Sequence, residues 1–343
     1  MTYKVESTEK LTNTASETET KALLYLMNFH ADNDDIKFFV IDFFNDVTGT
    51  DNFAAKLWDV QSKAGNNVSP KKVGRNLVTL YKNFLSEFDF YHYILFMGTP
   101  SNTVRKDNSK MSFGIENITS EALQKIKLGL KDEATHITYI PDEKITEQSI
   151  DDFLKLVYFV IDNKKPCDYI RPIIKVKPDL IPDDETLTGI FNEIRDKQSS
   201  KKNGKSVEGI TISVPHEALN YFRHLEAEEI KLLVLSRVIN TNPMEQKPPV
   251  SFMPILSCIP PEQKKDCIEN CRIALSRALF DKNSIDIFWG ILSEIISIIK
   301  LYPTYDINQI YSSMDQELVA KCKTFDIISL KFFIANIKDG VAL

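Results

Sequence analysis

The sequence predicts an α/β domain followed by a mostly α-helical one, on three observations. Strand-like apolar runs at Lys37–Phe44, Ala55–Lys63 and Tyr91–Met97 alternate with segments of helical spacing in the first half. From Thr211 onward the periodic segments are helical. With 343 residues, 43% hydrophobic and 26% charged, the chain has a globular composition and the length for two cores.

Residues 1–16 are polar, rich in Thr, Ser and Glu, and read as a flexible arm. Ser16 followed by Glu19 has capping-box spacing for a helix over Glu17–Asn28, whose apolar side is Ala22, Leu23, Tyr25, Leu26 and Met27. The acidic turn Asp32–Asp35 leads into the strand Lys37–Phe44. A turn at Gly49 leads into the strand Ala55–Lys63, which Ala64-Gly65-Asn66-Asn67 ends. Ser69 and Pro70 suit the N-cap and first position of a helix over Lys71–Glu87. Tyr91–Met97, mostly apolar and stopped by Gly98, suits a central buried strand.

Helices are expected over Thr119–Leu130 and Thr146–Ile161, with a short strand at His136–Ile140 between them. Four prolines break Lys164–Asp184, and Gln198–Lys205, QSSKKNGK, reads as a flexible loop. Helical spacing then covers His216–Phe222, Glu226–Ile239, Pro261–Phe280, Ile285–Leu301, Ile307–Cys322 and Asp326–Ile337. A boundary near 200–215 gives domains over 17–210 and 211–343, and a second candidate boundary lies at 241–250.

Several function classes are disfavoured. Net charge is −6, so any contact with nucleic acid must come from a local basic surface. The apolar run Ile285–Leu301 is interrupted by Asp286, Glu294 and Lys300 and is too short for a membrane span. The first twenty residues lack the apolar stretch of a secretory signal, and five scattered cysteines suit reduced thiols, so a cytoplasmic protein without a membrane partner is expected. Neither a Walker A sequence nor Gly-x-Gly-x-x-Gly is present, and the five histidines suggest no catalytic triad. Cys267 and Cys271 stand four apart on an expected helix without a second ligand pair nearby.

The chemistry concentrates in Lys37–Lys63, KFFVIDFFNDVTGTDNFAAKLWDVQSK. Two strands joined by a polar turn leave Asp46, Gln61 and Lys63 at one end. Gln61 and Lys63, two apart, point to one face and Ser62 to the other. Asp42 and Asp51 compete with Asp46 as the first acid, and Asp59 shares a face with Gln61. A plain hairpin with Gln61 and Lys63 on a solvated face accounts for the same residues without chemistry. Lys56, Lys63, Lys71, Lys72, Arg75 and Lys82 stand against the single acid Asp59 between 56 and 82. That surplus offers a surface for phosphates, helped by the N-terminus of the Lys71 helix, or else a solubilising helix face. Lys197, Lys201, Lys202 and Lys205 form a second basic stretch, either a DNA-contacting segment or simply a polar loop.

An acid, about fifteen residues and then Gln-x-Lys, with a helix before and a helix and strand after, resembles the core of the PD-(D/E)xK nuclease superfamily in its Gln-for-Glu form. The resemblance spans Glu17–Met97. It implies a restriction-endonuclease-like mixed sheet flanked by helices. It also implies Mg²⁺ or Mn²⁺ held by Asp46, the side-chain oxygen of Gln61 and the main-chain carbonyl of Ser62, with Lys63 orienting water and neutralising phosphate. Asp46, Gln61 and Lys63 are then the catalytic set, and Lys71, Lys72 and Arg75 the nucleic-acid contacts. Glu17 or Glu19 is an additional acid by the same resemblance, unless both merely favour the helix N-terminus.

The activity so implied is metal-dependent endonucleolytic cleavage of double-stranded DNA, most like the nuclease effectors of bacterial anti-phage defence. The helical region then holds the enzyme inactive, alone, in a homo-oligomer or with an ATPase or sensor partner. A non-catalytic assembly subunit that keeps the nuclease fold, and a nuclease acting on RNA, are the alternatives.

Overall fold

The computed structural model describes residues 2–6, 13–202, 206–245 and 247–340, with backbone alone at 13–15. The chain forms two units, one of residues 1–169 and 191–227, the other of 170–190 and 228–343. In chain order the first unit holds β1 (Tyr3–Lys4), α1 (Asn13–Asn28), β2 (Phe38–Ile41), β3 (Val47–Thr50), β4 (Leu57–Lys63), α2 (Pro70–Arg75), α3 (Val78–Phe84) and β5 (His92–Met97). It continues with β6 (Ser112–Phe113), α4 (Ser120–His136), α5 (Glu147–Leu156) and β7 (Val157–Ile161). Then α6 (Pro166–Ile170) contributes its residues up to Tyr169, and α7 (Asp184–Lys202) those from Phe191 onward. The short strands β8 (Thr211–Ile212) and β9 (His224–Glu226) complete the unit.

Its centre is a seven-stranded mixed sheet of order β6-β7-β5-β4-β3-β2-β9. Strands β4, β5 and β7 are parallel, and the remaining pairings are antiparallel. Parallel neighbours need a crossover, and α2–α3 and α4–α5 supply the two required. An α/β architecture followed by a helical region is therefore present, and the carboxyl ends of β4 and β5, at Lys63 and Met97, lie side by side.

Several local expectations give way to packing. Lys37–Lys63 is a three-stranded meander rather than a two-stranded hairpin. Gly49 lies inside β3, because its bare backbone clears Leu26 and Ile36, each only 3.1 Å from where a Cβ would stand. The turns fall on either side of β3, and Asp42 and Ala54 take left-handed φ of 49° and 51° there. The expected helix over Lys71–Glu87 breaks at Asn76–Leu77 into α2 and α3. Helix α4 runs on through His136, so the expected strand His136–Ile140 is a turn closed by Ile140 N–H donating to the Ile137 carbonyl. The expected helix Thr146–Ile161 stops at Leu156, and Val157–Ile161 pairs with β5 as β7, where its branched and aromatic side chains suit a sheet better than a helix.

The ends of the unit differ most from expectation. Residues 7–12 of the expected arm lie outside the described residues, but Tyr3 and Val5 are buried and β1 pairs with β8. Tyr3 donates to the Asn83 side chain at 2.8 Å, and its ring stacks on Phe88. Helix α1 starts at Asn13, which leaves Ser16 inside it, bonded to Ser199 at 2.9 Å, rather than at its cap. Gln198–Lys202, expected as loop, is the last turn of α7, while residues 203–205 lie outside the described residues. The boundary expected near 200–215 stands at 227/228, because β9 is needed to cover the edge of β2, and 170–190 belong to the second unit.

Helices α2 and α4 cross through glycines. A Cβ at Gly129 would stand 2.0 Å from the Lys71 carbonyl oxygen, and one at Gly74 2.0 Å from that of Ile126. Backbone has no rotamer by which to yield, so Gly129→Ala is expected to push α2 outward and cost about 1–3 kcal/mol. A urea titration with unchanged midpoint would show that the helices can separate freely.

The second unit is helical: α8 (Ala227–Val238), α9 (Met253–Ser257), α10 (Lys264–Phe280), α11 (Ile285–Leu301), α12 (Ile307–Ser313), α13 (Gln316–Lys321) and α14 (Ile327–Gly340). Apolar α11 is its axis, with Phe288, Trp289, Ile291, Leu292 and Ile295 buried and Phe288 stacked on Phe333 at 5.0 Å. The expected single helix Ile307–Cys322 is split, since Asp315 caps a new start by accepting from Glu317 N–H. Among the described residues no helix is long and apolar enough to cross a membrane.

Candidate functional site

Asp46 ends the turn before β3, and the register Val47↔Val60 brings it opposite Gln61, two residues before β4 ends at Lys63. Its Oδ2 accepts from Gln61 Nε2 at 2.6 Å, Ser62 N–H at 2.7 Å and Ser62 Oγ at 2.9 Å. Gln61 and Ser62 alternate on the strand, yet both reach this one oxygen, because Asp46 stands opposite Gln61 just before β3 begins. Asp46, Gln61 and Ser62 are thus brought together and buried.

Two further acids join them. Glu19, on α1, is 4% exposed, and Asp42 opens the same turn that Asp46 closes. Between them lies an ammonium that the sequence offers only as part of a basic stretch, a DNA-contacting segment or a polar loop: Lys202 Nζ is 3.1 Å from Glu19 and 3.7 Å from Asp42. Arg223 donates to the Asp42 carboxylate and to its main-chain oxygen, both at 3.1 Å, and to the Lys202 carbonyl at 2.9 Å. Lys202 stands in a lysine run that reads as solvated loop, and nothing local to Arg223 signals a site.

Burial, and then the charge of Asp46, holds the Glu19 carboxyl well above its ordinary range despite Lys202. Burial likewise lifts Asp42 to about 6, against the opposing pull of Lys202 and Arg223. Burial works to lower Lys202, but Glu19, Asp42 and Asp46 outweigh it and hold the ammonium above its usual value. The pocket is a cage of carboxylates closed by an internal cation.

The other named residues fall into place around it. Glu17 pairs outward with Lys21 at 3.1 Å and takes no part. Asp51 follows the far end of β3, where Thr50 pairs with Leu57, and caps the next turn by accepting Ala55 N–H at 2.7 Å, so it stands away from Gln61 and Lys63. Lys63 and Gln61 line a cleft of about 550 Å³ with Lys71, Lys72 and Arg75. Asp42, Asp46 and Gln61 line a smaller cavity of about 80 Å³, so Gln61 belongs to both.

The expected basic surface is reduced. Lys71 pairs with Asp132 at 2.7 Å and Arg75 with Glu133 at 3.8 Å, while Lys72 is exposed at the rim. Lys56 pairs with Asp35, and Lys82 is turned inward onto the Tyr3 hydroxyl at 2.6 Å. The six-residue α2, its Lys72 N–H already taken by Ser69, is too short to serve as a phosphate site. Lys202 is committed to Glu19 and Asp42, and so is not a free DNA contact.

Asp59 lies beneath the site, fully buried, and takes 2.6 Å from Asn83 Nδ2 and 3.4 Å from Thr48 Oγ1. Burial pushes its carboxyl up to about 7, in spite of these donors, and pushes its neighbour Lys82 down to about 8. A carboxyl that binds its proton more tightly folded than unfolded favours folding below the unfolded value and loses that contribution as pH rises through the folded one. Folding stability is therefore expected to fall by about 1–3 kcal/mol from Asp59 alone between pH 5 and 7.5. Asp59→Asn should flatten the dependence in urea titrations at the two pH values; an unchanged slope would remove Asp59 as its source.

The donor set fits a hard divalent cation in kind. Asp46 and Gln61 bring side-chain oxygens, and Glu19 and Asp42 bring two more carboxylates, although the three carboxylates do not all come within 4.8 Å of one another while Lys202 stands between Glu19 and Asp42. Charge bookkeeping fits as well: three carboxylates face Lys202 and Arg223, and exchanging Lys202 for a divalent ion would leave Arg223 plus that ion to balance all three. Lys202 holds the position between Glu19 and Asp42 and must leave for such an exchange.

No family model, no curated protein and no solved structure matches this chain.

Proposed function

We propose that the chain is a metal-dependent endonuclease of the PD-(D/E)xK kind acting on double-stranded DNA, with Asp46, Gln61 and Lys63 as its catalytic set. The observation that carries this reading is the bonding of Asp46 to Gln61 and Ser62 at the carboxyl end of β4, two residues before Lys63 and beside a cleft lined by Lys71 and Lys72. Carboxyl ends of parallel strands are where open α/β sheets bind ligands.

A bound Mg²⁺ or Mn²⁺ supplies charge neutralisation and an activated water. Asp46, Glu19, the Gln61 side-chain oxygen and the Ser62 carbonyl are the residues that would hold it. Lys63 neutralises the scissile phosphate and positions the attacking water, a task suited to a point charge. Lys72, with Lys71 and Arg75 once released from Asp132 and Glu133, tracks the phosphate backbone.

Lys202 favours a gated enzyme: while it fills the carboxylate cage, the chain by itself cuts weakly, as expected of a defence effector awaiting a partner or a trigger. Strong unaided cleavage would overturn that part. The same ammonium also favours a second reading, a non-catalytic assembly subunit stabilised by an internal ion pair.

The test is supercoiled and linear DNA, and a structured RNA, incubated with the full chain and Mg²⁺, Mn²⁺ or EDTA. Metal-dependent cutting of DNA supports the first reading, cutting of RNA alone redirects the substrate, and absence of both cutting and Mg²⁺ binding favours the subunit.

A further inference from the structure

At the opposite end of β4 and β5, a second group of side chains converges. His92 opens β5 and stands in register with Trp58 near the start of β4, five residues before Lys63, or about 16 Å along the strand. Just past α1, His30 and Asp32 approach this point. Asp32 Oδ2 lies 3.4 Å from His92 Nε2 and 3.8 Å from His30 Nδ1. One ligand atom from each of the three lies within 4.8 Å of the others, and no other trio of His, Cys, Asp or Glu among the described residues does so.

We propose that His30, Asp32 and His92 bind a single zinc ion, with water completing the coordination. Ligand atoms around a tetrahedral zinc with bonds of about 2.0–2.1 Å stand about 3.4 Å apart, close to the separations here. Two imidazoles and one carboxylate make an N/O set that zinc accepts readily. The set is held from behind: Trp58 Nε1 donates to Asp32 Oδ2 at 3.0 Å, the kind of outer partner that orients a ligating carboxylate.

Main-chain bonds fix the turn that presents it. His30 N–H donates to the Tyr25 carbonyl at 3.0 Å, and Asn33 N–H to that of His30 at 3.1 Å. Asp32 N–H donates to His30 Nδ1 at 3.1 Å, so this lone pair already faces Asp32, and zinc exchanges that contact for a coordinate bond. All three residues are half-buried, which gives the ion an entry path. The ion would clamp the end of α1, the helix that carries Glu19, to the starts of β4 and β5. The proposal is independent of the nuclease reading, since it uses none of the same residues.

The experiment is isothermal titration of the chelator-treated full chain with zinc, together with melting curves and the visible spectrum of the cobalt-substituted protein. The wild type is expected to bind one zinc with micromolar or tighter Kd, and its melting midpoint to rise by about 5 °C or more at a hundredfold excess over Kd. His92→Gln and Asp32→Asn, checked for folding by circular dichroism without metal, should each weaken binding at least about tenfold. Cobalt in a nitrogen–oxygen set gives visible bands without thiolate charge transfer, a readout that needs no variant. No binding by the wild type, equal binding by both ligand variants, or a thiolate band assigning the ion to Cys267 and Cys271 would overturn the site.

Discussion

Lys202→Met is expected to lower the stability of the metal-free protein by about 3–5 kcal/mol, because it leaves Glu19 and Asp42 buried without their shared cation. For a domain of this size that is a fall of about 10 °C in melting midpoint. Methionine keeps most of the length and apolar volume of the lysine stem, so the loss reports charge more than packing. Millimolar Mg²⁺ should then recover part of the stability, since the variant cage has lost its internal competitor for a divalent ion. The wild type should respond to Mg²⁺ much less. Melting curves of both proteins with and without Mg²⁺ decide the matter: equal destabilisation in the two conditions would mean that the cage takes no metal.

Cleavage is expected to fall by about 10²–10³-fold in Lys63→Ala and at least as far in Asp46→Asn, measured as initial rates on plasmid DNA in Mg²⁺. The two variants fail for different reasons. Lys63 is half-buried and lines the cleft, so its truncation takes a positive charge away from where the phosphate would lie. Asn at position 46 retains an oxygen to accept from Ser62 N–H and Oγ, so the turn keeps its bonds while the carboxylate charge is lost. DNA binding at low salt should survive in Asp46→Asn, because Lys71, Lys72 and Arg75 are untouched. Cutting at the wild-type rate by either variant would remove the β4 end as the catalytic site.

How much of this was legible in the residues is clearest along β4. The acid, the spacing and Gln-x-Lys marked Asp46, Gln61 and Lys63, and the structure brings Asp46 to Gln61 and Ser62 as a strand pairing can. The meander went unread because Gly49 looks like a turn residue, and only its packing against Leu26 and Ile36 explains it as strand. Val157–Ile161 carries helical spacing continuous with α5, and pairing with β5 and β6 makes it a strand.

Charge shows the same division. A lysine's partner is invisible in one dimension: Lys56, Lys71, Arg75 and Lys82 look like one basic surface, yet three of them meet Asp35, Asp132 and Glu133, and the fourth turns inward.

By itself the sequence determined the class of the fold, an α/β region followed by helices, and the short motif on β4, because periodicity and local spacing are properties of neighbouring residues. Only the tertiary structure decided that Glu19 and not Glu17 faces Asp46, that Lys202 and Arg223 neutralise the cage, and that His30, Asp32 and His92 meet. Glu19 and Lys202 are 183 positions apart, Asp42 and Arg223 181, and Asp32 and His92 60. Their meeting depends on burial and strand order, which local spacing does not encode.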